Sequence, residues 1–305
     1  MIKNSIAIFI LCISLISCKK EGSKTLEGNI KKDSTAKVKA KQDLYTPIDT
    51  ACSSENKTED YIAALQYYQT KTEKEIAKNS PQENDKLYED YAKLRDKYIS
   101  CLSTILGDVL DKYVNYYDSE SNSYKFPENI KKLTAELKKG GLEFREVGEG
   151  YTEIWSKPDH YYSVFKNKVT PDYEAYLSKM GKENEVNYSA DAGLIISWEE
   201  LGNRLIFWEN FIKKYPKSFL IPRVKEQYNN YLHDYLLGMD NTPTYENSDG
   251  TLYDENRAEY NRIIKKYPGS YTSKRAQQSL NLFDSHTSIE QIREKLDNES
   301  DYSKF

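Results

Sequence analysis

A short stretch that occurs twice constrains the fold of this chain more than any other feature. The copies are Phe211–Phe219 and Ile263–Tyr271, and both contain Lys-Lys-Tyr-Pro-x-Ser. Their tyrosines, Tyr215 and Tyr267, lie 52 positions apart (267 minus 215). Because proline ends a helix, each copy predicts a helix end, a turn and a new helix start. A unit of this kind used twice predicts a helical repeat.

The residues before the first copy predict the clearest helix of the chain. Ser197 and Glu200 have the spacing of a capping box. We expect one face of this helix to be buried and the other face, with Glu209, to be exposed. Ser218 is expected to cap the next helix, with Pro222 in its first turn. The apolar positions alternate at spacings of three and four: Trp198, Leu201, Leu205, Trp208, Ile212 and Tyr215.

The second copy aligns with the first without a gap as far as Phe283. This helix–Tyr-Pro-x-Ser–helix pattern over Ser197–Phe283 resembles the tetratricopeptide-like repeats of bacterial envelope lipoproteins. The resemblance implies stacked helix pairs that bind a protein or peptide partner. The unit is longer than the usual repeat because Gly238–Leu252 is inserted, and we interpret that insertion as a surface loop. The repeat turns are formed by Tyr215, Pro216, Ser218, Tyr267, Pro268 and Ser270.

The start of the chain has the pattern of an export signal. Lys3 precedes an apolar run, Ile6–Ile16, that is too short to cross a membrane comfortably. The run ends in Leu15–Cys18, which resembles a bacterial lipobox. That resemblance implies removal of residues 1–17, a diacylglycerol on Cys18 and a lipid-anchored envelope protein. Lys19 replaces the Asp that retains such proteins at the inner membrane, which favours the outer membrane, facing the periplasm or the cell surface.

Composition then divides the rest of the chain. Residues 18–50 are rich in Lys, Ser and Thr and predict a flexible tether. Residues 51–190 predict an N-terminal helical region, and residues 191–305 hold the repeats. The expected fold class is mainly α: an antiparallel helical hairpin, then tetratricopeptide-like helix pairs, with one small β-hairpin near 142–155.

Within the N-terminal region, apolar spacing predicts helices over residues 56–79 and 84–117, joined at Ser80-Pro81. Further helices are expected over 127–139 and from Pro171 to a stop at Gly181. Between them, 142–147 and 151–155 alternate apolar and polar residues around a Gly-Glu-Gly turn. This alternation predicts the β-hairpin.

Four cysteines remain to be assigned. Cys12 leaves with the signal and Cys18 carries the lipid, which leaves Cys52 and Cys101. In an oxidising envelope these two are expected to form a disulfide, and the alternative is two buried free thiols. Two thiols without a nearby histidine make a poor zinc site, so no metal is expected. No cofactor is expected either.

Several function classes receive no support from the sequence. A net charge of −4 gives no electrostatic case for nucleic acid. His160, His233 and His286 are scattered, and no nucleophile elbow, phosphate loop or dinucleotide motif occurs. The insertion fits a calcium loop only in part, because Tyr245 and Asn256 stand where ligands are required.

Three functional hypotheses remain. The first is a lipid-anchored helical scaffold that binds a protein or peptide. The second is a glycan-binding or lysozyme-inhibitor-like envelope protein, since Leu94–Cys101 resembles the Arg-Asp…Cys end of some small secreted inhibitor domains. The third is a hydrolase using isolated carboxylates, for which Glu146, Glu149 and Glu153 beside Arg145 are the candidates. No catalytic motif supports an enzyme.

Overall fold

The computed structural model describes Ile48, Cys52, Ser53 and residues 55–285 and 287–298. The expected signal peptide, Cys18 and all of the expected tether but Ile48 lie outside the described residues. The described residues form one compact unit. Its helices are α1 (Thr58–Ile76), α2 (Pro81–Ile105), α3 (Gly107–Tyr113), α4 (Glu128–Lys139), α5 (His160–Phe165), α6 (Pro171–Glu183), α7 (Trp198–Lys214), α8 (Ile221–Leu237), α9 (Asp254–Lys266), α10 (Tyr271–Asp284) and α11 (Ile289–Asn298).

Helices α1 and α2 form the predicted hairpin, and Ser80 caps α2 through its hydroxyl. The single helix expected over 84–117 is wrong, because it breaks at Leu106 (φ −95°, ψ 11°). Gly107, a poor helix former, follows the break. The break turns α3 toward the β-hairpin, where the rings of Tyr113 and Phe144 lie 4.8 Å apart. A 3₁₀ turn, Val114–Tyr116, follows α3.

Helix α6 starts at Pro171 as predicted, but Gly181 does not end it. The helix continues to Glu183, and Gly181 is buried inside it. A Cβ at position 181 would lie 3.3 Å from the Pro158 carbonyl oxygen, so glycine here permits close packing against the start of α5. Gly181 therefore marks a close approach between two segments and not the end of a helix.

The predicted β-hairpin is present as β3 (Leu142–Gly148) and β4 (Tyr151–Ser156), which pair antiparallel with Arg145 opposite Glu153. Three smaller hairpins were not predicted. They are β1 (Tyr117–Asp118) with β2 (Ser123–Tyr124), β5 (Ser189–Ala190) with β6 (Gly193–Leu194), and β7 (Gly238–Met239) with β8 (Thr242–Pro243). The last two touch, since the amide of Asn241 donates to the Ala192 carbonyl over 2.9 Å.

The two repeat copies fold alike as the pairs α7–α8 and α9–α10. Tyr215 and Tyr267 end the first helix of each pair with nearly equal dihedral angles, φ −125° and ψ 54° against φ −134° and ψ 56°. The amides of Ser218 and Ser270 then donate to the carbonyls of these tyrosines over 3.0 and 2.9 Å. The two Tyr-Pro-x-Ser turns therefore share one backbone geometry.

The serine caps differ between the copies. Ser270 caps α10 by accepting from the Ser273 amide, whereas α8 begins only at Ile221 and has no side-chain cap. The expectation that Ser218 caps α8 is wrong, because Pro222 has no N–H and must occupy the first turn. The Ser218 hydroxyl accepts instead from the Leu220 amide within the turn.

Helix α7 is buried on more than its apolar seam. Trp208 is fully buried, as expected, but Glu209 is only 1% exposed, so its predicted exposure is wrong. The cause is α10, whose first turn packs on this side of α7. The Glu209 carboxylate accepts from the backbone amides of Tyr271 (2.8 Å) and Thr272 (3.0 Å).

The predicted disulfide between Cys52 and Cys101 is present, with Cα atoms 5.1 Å apart. Cys101 is fully buried and lies within a cluster built by α1, α2, α4 and the β3–β4 hairpin. A larger cluster joins α2 and α5–α11. In the described residues, no helix combines the length and apolarity needed to span a bilayer.

Candidate functional site

A cleft of about 360 Å³ lies between the β3–β4 hairpin, the chain that follows α6, and the α7–α8 pair. The alternation along β3 and β4 points Arg145, Glu153 and Trp155 toward it, since paired residues share a face of the hairpin. The other lining residues are Val147, Met180, Glu183, Asn184, Val186, Asn187, Tyr188, Ser189, Arg204, Gln227 and Tyr231.

One wall of the cleft is held by Arg145. Its guanidinium lies 4.7 Å from the centre of the Trp155 ring and donates to Glu143 over 2.6 Å. It also donates to the Asn184 carbonyl and to the Asn187 side chain, which ties the hairpin to the chain after α6. The charge of Arg145 is thus neutralised by Glu143, and its position fixes the Trp155 ring.

The floor of the cleft is a buried polar cluster around Glu183. Glu183 is 3% exposed. Its carboxylate accepts from the Tyr231 hydroxyl (3.0 Å) and the Trp208 indole N–H (3.2 Å). Lys179 lies 3.0 Å from it, and Arg204 lies 4.0 Å away. A carboxylate at the last position of a helix opposes the helix dipole, and these two cations compensate for that cost.

The cluster also affects Tyr231. Burial, and then the charge of Glu183, raise the pKa of the Tyr231 hydroxyl above its usual value. The hydroxyl therefore stays protonated and serves as a donor to Glu183 while it accepts from Arg204. With every charge compensated, the floor is a structural support for the cleft walls.

Two polar side chains of the cleft are not used in this way. The carboxamides of Asn184 and Gln227 make no hydrogen bond to the part of the chain that the structure describes. Val186 beside them is 52% exposed. The cleft therefore presents two carboxamides next to aliphatic surface, while both of its guanidinium groups are already bound to carboxylates.

The three glutamates proposed from the sequence as a catalytic group are not brought together. Glu146 lies on the opposite face of the hairpin from Glu153 and accepts from the Tyr124 hydroxyl. Glu149 lies in the tight turn with φ 52°, where its amide donates to Asp191. Glu153 alone lines the cleft, and it accepts from the Trp155 indole N–H over 2.7 Å.

The other sequence candidates also lie elsewhere. None of Tyr215, Pro216, Ser218, Tyr267, Pro268 and Ser270 lines the cleft. The insertion is not simply a surface loop, because Tyr245 and Leu252 bridge each other and are 1% and 3% exposed. Within the described residues, no group of three His, Cys, Asp or Glu side chains is arranged to hold a metal ion.

The segment that resembles inhibitor domains buries Arg95, Tyr98 and Cys101, whereas Asp96, Lys97 and Ser100 are exposed. Arg95 is fully buried and donates to the carbonyls of Gly140 and Gly141. Burial, and then the charges of Arg95 and Lys157, lower the pKa of the neighbouring His160 to about 3. His160 is thus neutral, and its Nε2 lies 2.9 Å from the Tyr91 hydroxyl.

The residues that form the cleft were not found by sequence reasoning. Glu183 lies just beyond the predicted stop at Gly181, Arg204 is an ordinary charge on an amphipathic helix, and Asn184 and Gln227 belong to no motif. The one available signal was Glu183, an acidic residue near the end of a predicted helix, where a nearby cation is required. Comparison of the chain with protein-family models, curated proteins and solved structures found no match.

Proposed function

We propose that this chain is a lipid-anchored protein of the bacterial cell envelope whose helical domain binds a segment of a partner protein in the cleft. The observation that carries the proposal is the pair of unused carboxamides, Asn184 and Gln227, beside the exposed Val186. A carboxamide offers one acceptor and two donors, which match the N–H and C=O of an extended peptide. The aliphatic surface suits an apolar side chain of that peptide.

The charges of the cleft support an uncharged segment. Arg145 and Arg204 are both engaged by carboxylates, so an anionic ligand would find no available cation there. Burying a charged side chain without a partner is costly. We therefore propose a peptide that presents its backbone and an apolar residue.

The envelope location is supported by two features. The lipobox-like Leu15–Cys18 supports lipidation, with the outer membrane as the proposed site. The Cys52–Cys101 disulfide suits an oxidising compartment outside the cytoplasm. The stacked pairs α7–α8 and α9–α10 support the proposed relation to tetratricopeptide-like scaffolds, which bind proteins.

Site-directed photo-crosslinking in intact cells tests the binding site. A photo-reactive amino acid at position 186 should form a protease-sensitive adduct with one partner, and Gln227→Ala should weaken that adduct. Asn230→Ala, an exposed amide on the same helix, is the matched control and should have no effect. Adducts that are equally strong in the Gln227 and Asn230 variants would contradict the proposal.

The anchor has its own test. Cys18→Ala should abolish labelling by a fatty-acid analogue, because the acyl chain is expected on that sulfur. Labelling that persists in the variant would show that Leu15–Cys18 does not direct lipidation.

Glycan binding is the second candidate, and Trp155 favours it. Its ring lines the cleft beside the Glu153 carboxylate, and sugars combine ring stacking with hydrogen bonds to such groups. A glycan array decides between the two: a sugar signal lost in Trp155→Ala and kept in Gln227→Ala would favour the glycan over the peptide.

A further inference from the structure

Four helix-to-helix turns meet at one end of the folded chain. The Asn84 side chain donates to the carbonyls of Ile76 and Lys168, which joins the α1–α2 turn to the α5–α6 turn. The Asp85 carboxylate accepts from the backbone amide of Thr170 over 2.9 Å. These contacts place the start of α6 beside the start of α2.

The row continues into the two repeat turns. Tyr173 in the first turn of α6 and Arg223 in the first turn of α8 both donate to the Glu89 carboxylate of α2, over 3.0 and 2.9 Å, so the α5–α6 turn lies beside the α7–α8 turn. Glu209 then accepts from Lys213 at the end of α7 and from the amide of Tyr271 at the start of α10. All four turns therefore lie side by side.

Exposed lysines cover this end. Apart from Lys213, which is bound to Glu209, none of them has a carboxylate within 4.0 Å in the part of the chain that the structure describes. Lys214 and Lys266 lie over Tyr215 and Tyr267 at 5.0 and 5.4 Å, so the two copies carry the same arrangement. We call this surface the lysine end: Lys74, Lys78, Lys166, Lys168, Lys213, Lys214, Lys217, Lys265 and Lys266.

The carboxylates near the lysine end are directed to other partners. Glu83 accepts from the amide of Ser80, Glu174 accepts from the amide of Asn167, and Asp85 and Glu209 bind the starts of α6 and α10. On α1, Glu73 accepts from Gln69 and Glu75 pairs with Lys71. The nine lysines of this surface outnumber these six carboxylates, so positive charge is in excess among the residues named here.

Phe219 lies in the α7–α8 turn among these lysines and is 76% exposed, the most of any large hydrophobic side chain in the described residues. Its counterpart in the second copy, Tyr271, is half-buried instead. An exposed aromatic residue surrounded by lysines suits the boundary between lipid headgroups and acyl chains. The lysines supply attraction to anionic headgroups, and the ring supplies apolar burial.

We propose that the lysine end is a docking surface for an anionic lipid bilayer, with Phe219 entering the headgroup layer. The choice of a lipid surface over an acidic peptide rests on the side chains. Lysine is a strongly hydrated point charge that responds to diffuse surface charge, whereas directed carboxylate binding favours the arginine fork. Arg223, in the first turn of α8, is already bound to Glu89 over 2.9 Å.

Lysine acetylation of the full chain, reconstituted in lipid vesicles, tests the docking surface. With phosphatidylglycerol present, acetylation of Lys74, Lys78, Lys166 and Lys168 should slow by about fivefold relative to pure phosphatidylcholine. Salt at roughly 0.5 M should reverse this protection, because it screens charges beyond a few ångströms. The lysines of α4 should react equally in both vesicles.

Two variants with equal charge changes complete the test. The first variant should abolish protection of the remaining lysines. It combines Lys214→Gln, Lys217→Gln, Lys265→Gln and Lys266→Gln. The matched control changes Lys131, Lys132, Lys138 and Lys139 of α4 to Gln and should leave protection intact. Phe219→Ser should reduce protection without altering its salt dependence. Equal acetylation in the two kinds of vesicle, or protection that survives the first variant, would overturn the proposal.

Discussion

Replacement of Glu209 is the sharpest test of how the two repeat copies are joined. Its carboxylate is buried and binds the first turn of α10 through two backbone amides and the Thr272 hydroxyl, at 2.8 to 3.0 Å. Because α10 lies 62 residues beyond Glu209 in sequence, these bonds hold one copy against the other. Glu209→Ala removes all of them and deprives the buried Thr272 amide of this acceptor.

The expected loss follows from those contacts. A hydrogen bond to a charged group contributes about 1.5–3 kcal/mol, and the contributions of neighbouring bonds do not add fully. Loss of a helix cap costs about 1 kcal/mol, and a buried donor left without an acceptor costs about 1–3 kcal/mol. We therefore expect Glu209→Ala to lower the free energy of unfolding by about 3–5 kcal/mol. Glu209→Gln keeps an acceptor and should lose about 1–2 kcal/mol.

Guanidinium denaturation followed by circular dichroism measures these changes. Glu226→Ala, an exposed glutamate on α8, is the control and should stay within about 0.5 kcal/mol of the parent chain. The critical result is the order of stability, with Glu209→Ala lowest, Glu209→Gln intermediate and Glu226→Ala highest. If Glu209→Ala were as stable as the control, the carboxylate would not join the two copies, and our account of α10 packing would be refuted.

Three further outcomes follow from the structure. Trp208→Ala should cost about 3–5 kcal/mol in the same denaturation assay, since the ring is fully buried and its N–H binds Glu183. Reduction of the Cys52–Cys101 bond should cost about 2–4 kcal/mol, and peptide mapping without reductant should link the two cysteines. Burial lowers the pKa of His160 to about 3 in the folded chain, so between about pH 6.5 and 3 only the unfolded chain binds a proton at this residue. The free energy of unfolding should therefore fall with falling pH, by up to about 1.4 kcal/mol per pH unit more than in His160→Gln. Equal dependence on pH in the two chains would contradict this.

Local patterns gave the correct elements. The Tyr-Pro-x-Ser turns, the seam of α7 and the β3–β4 hairpin depend on neighbours within a few residues, so the sequence carries their signal. The disulfide followed from a count of cysteines and the expected compartment. Gly107 was visible in the sequence, but the apolar spacing continued across it and concealed the break after α2.

The cleft and the exposure of Glu209 could not be obtained in this way. Glu209 follows the polar pattern of an amphipathic helix, and only the docking of α10 buries it. Glu183, Arg204 and Tyr231 come together from three different helices. Such sites are set by tertiary packing, and local patterns in a single sequence do not reveal which distant helices will meet.

The disulfide determines where a mechanical load enters the fold. A pull on the chain upstream of Cys52 passes through the sulfur–sulfur bond to Cys101, near the end of α2. The whole of α1 and most of α2 lie inside the closed covalent loop and carry none of that tension. A protein held to a surface through its N-terminal segment would therefore resist unzipping of its first helical hairpin, and force would act first on the buried cluster around Cys101.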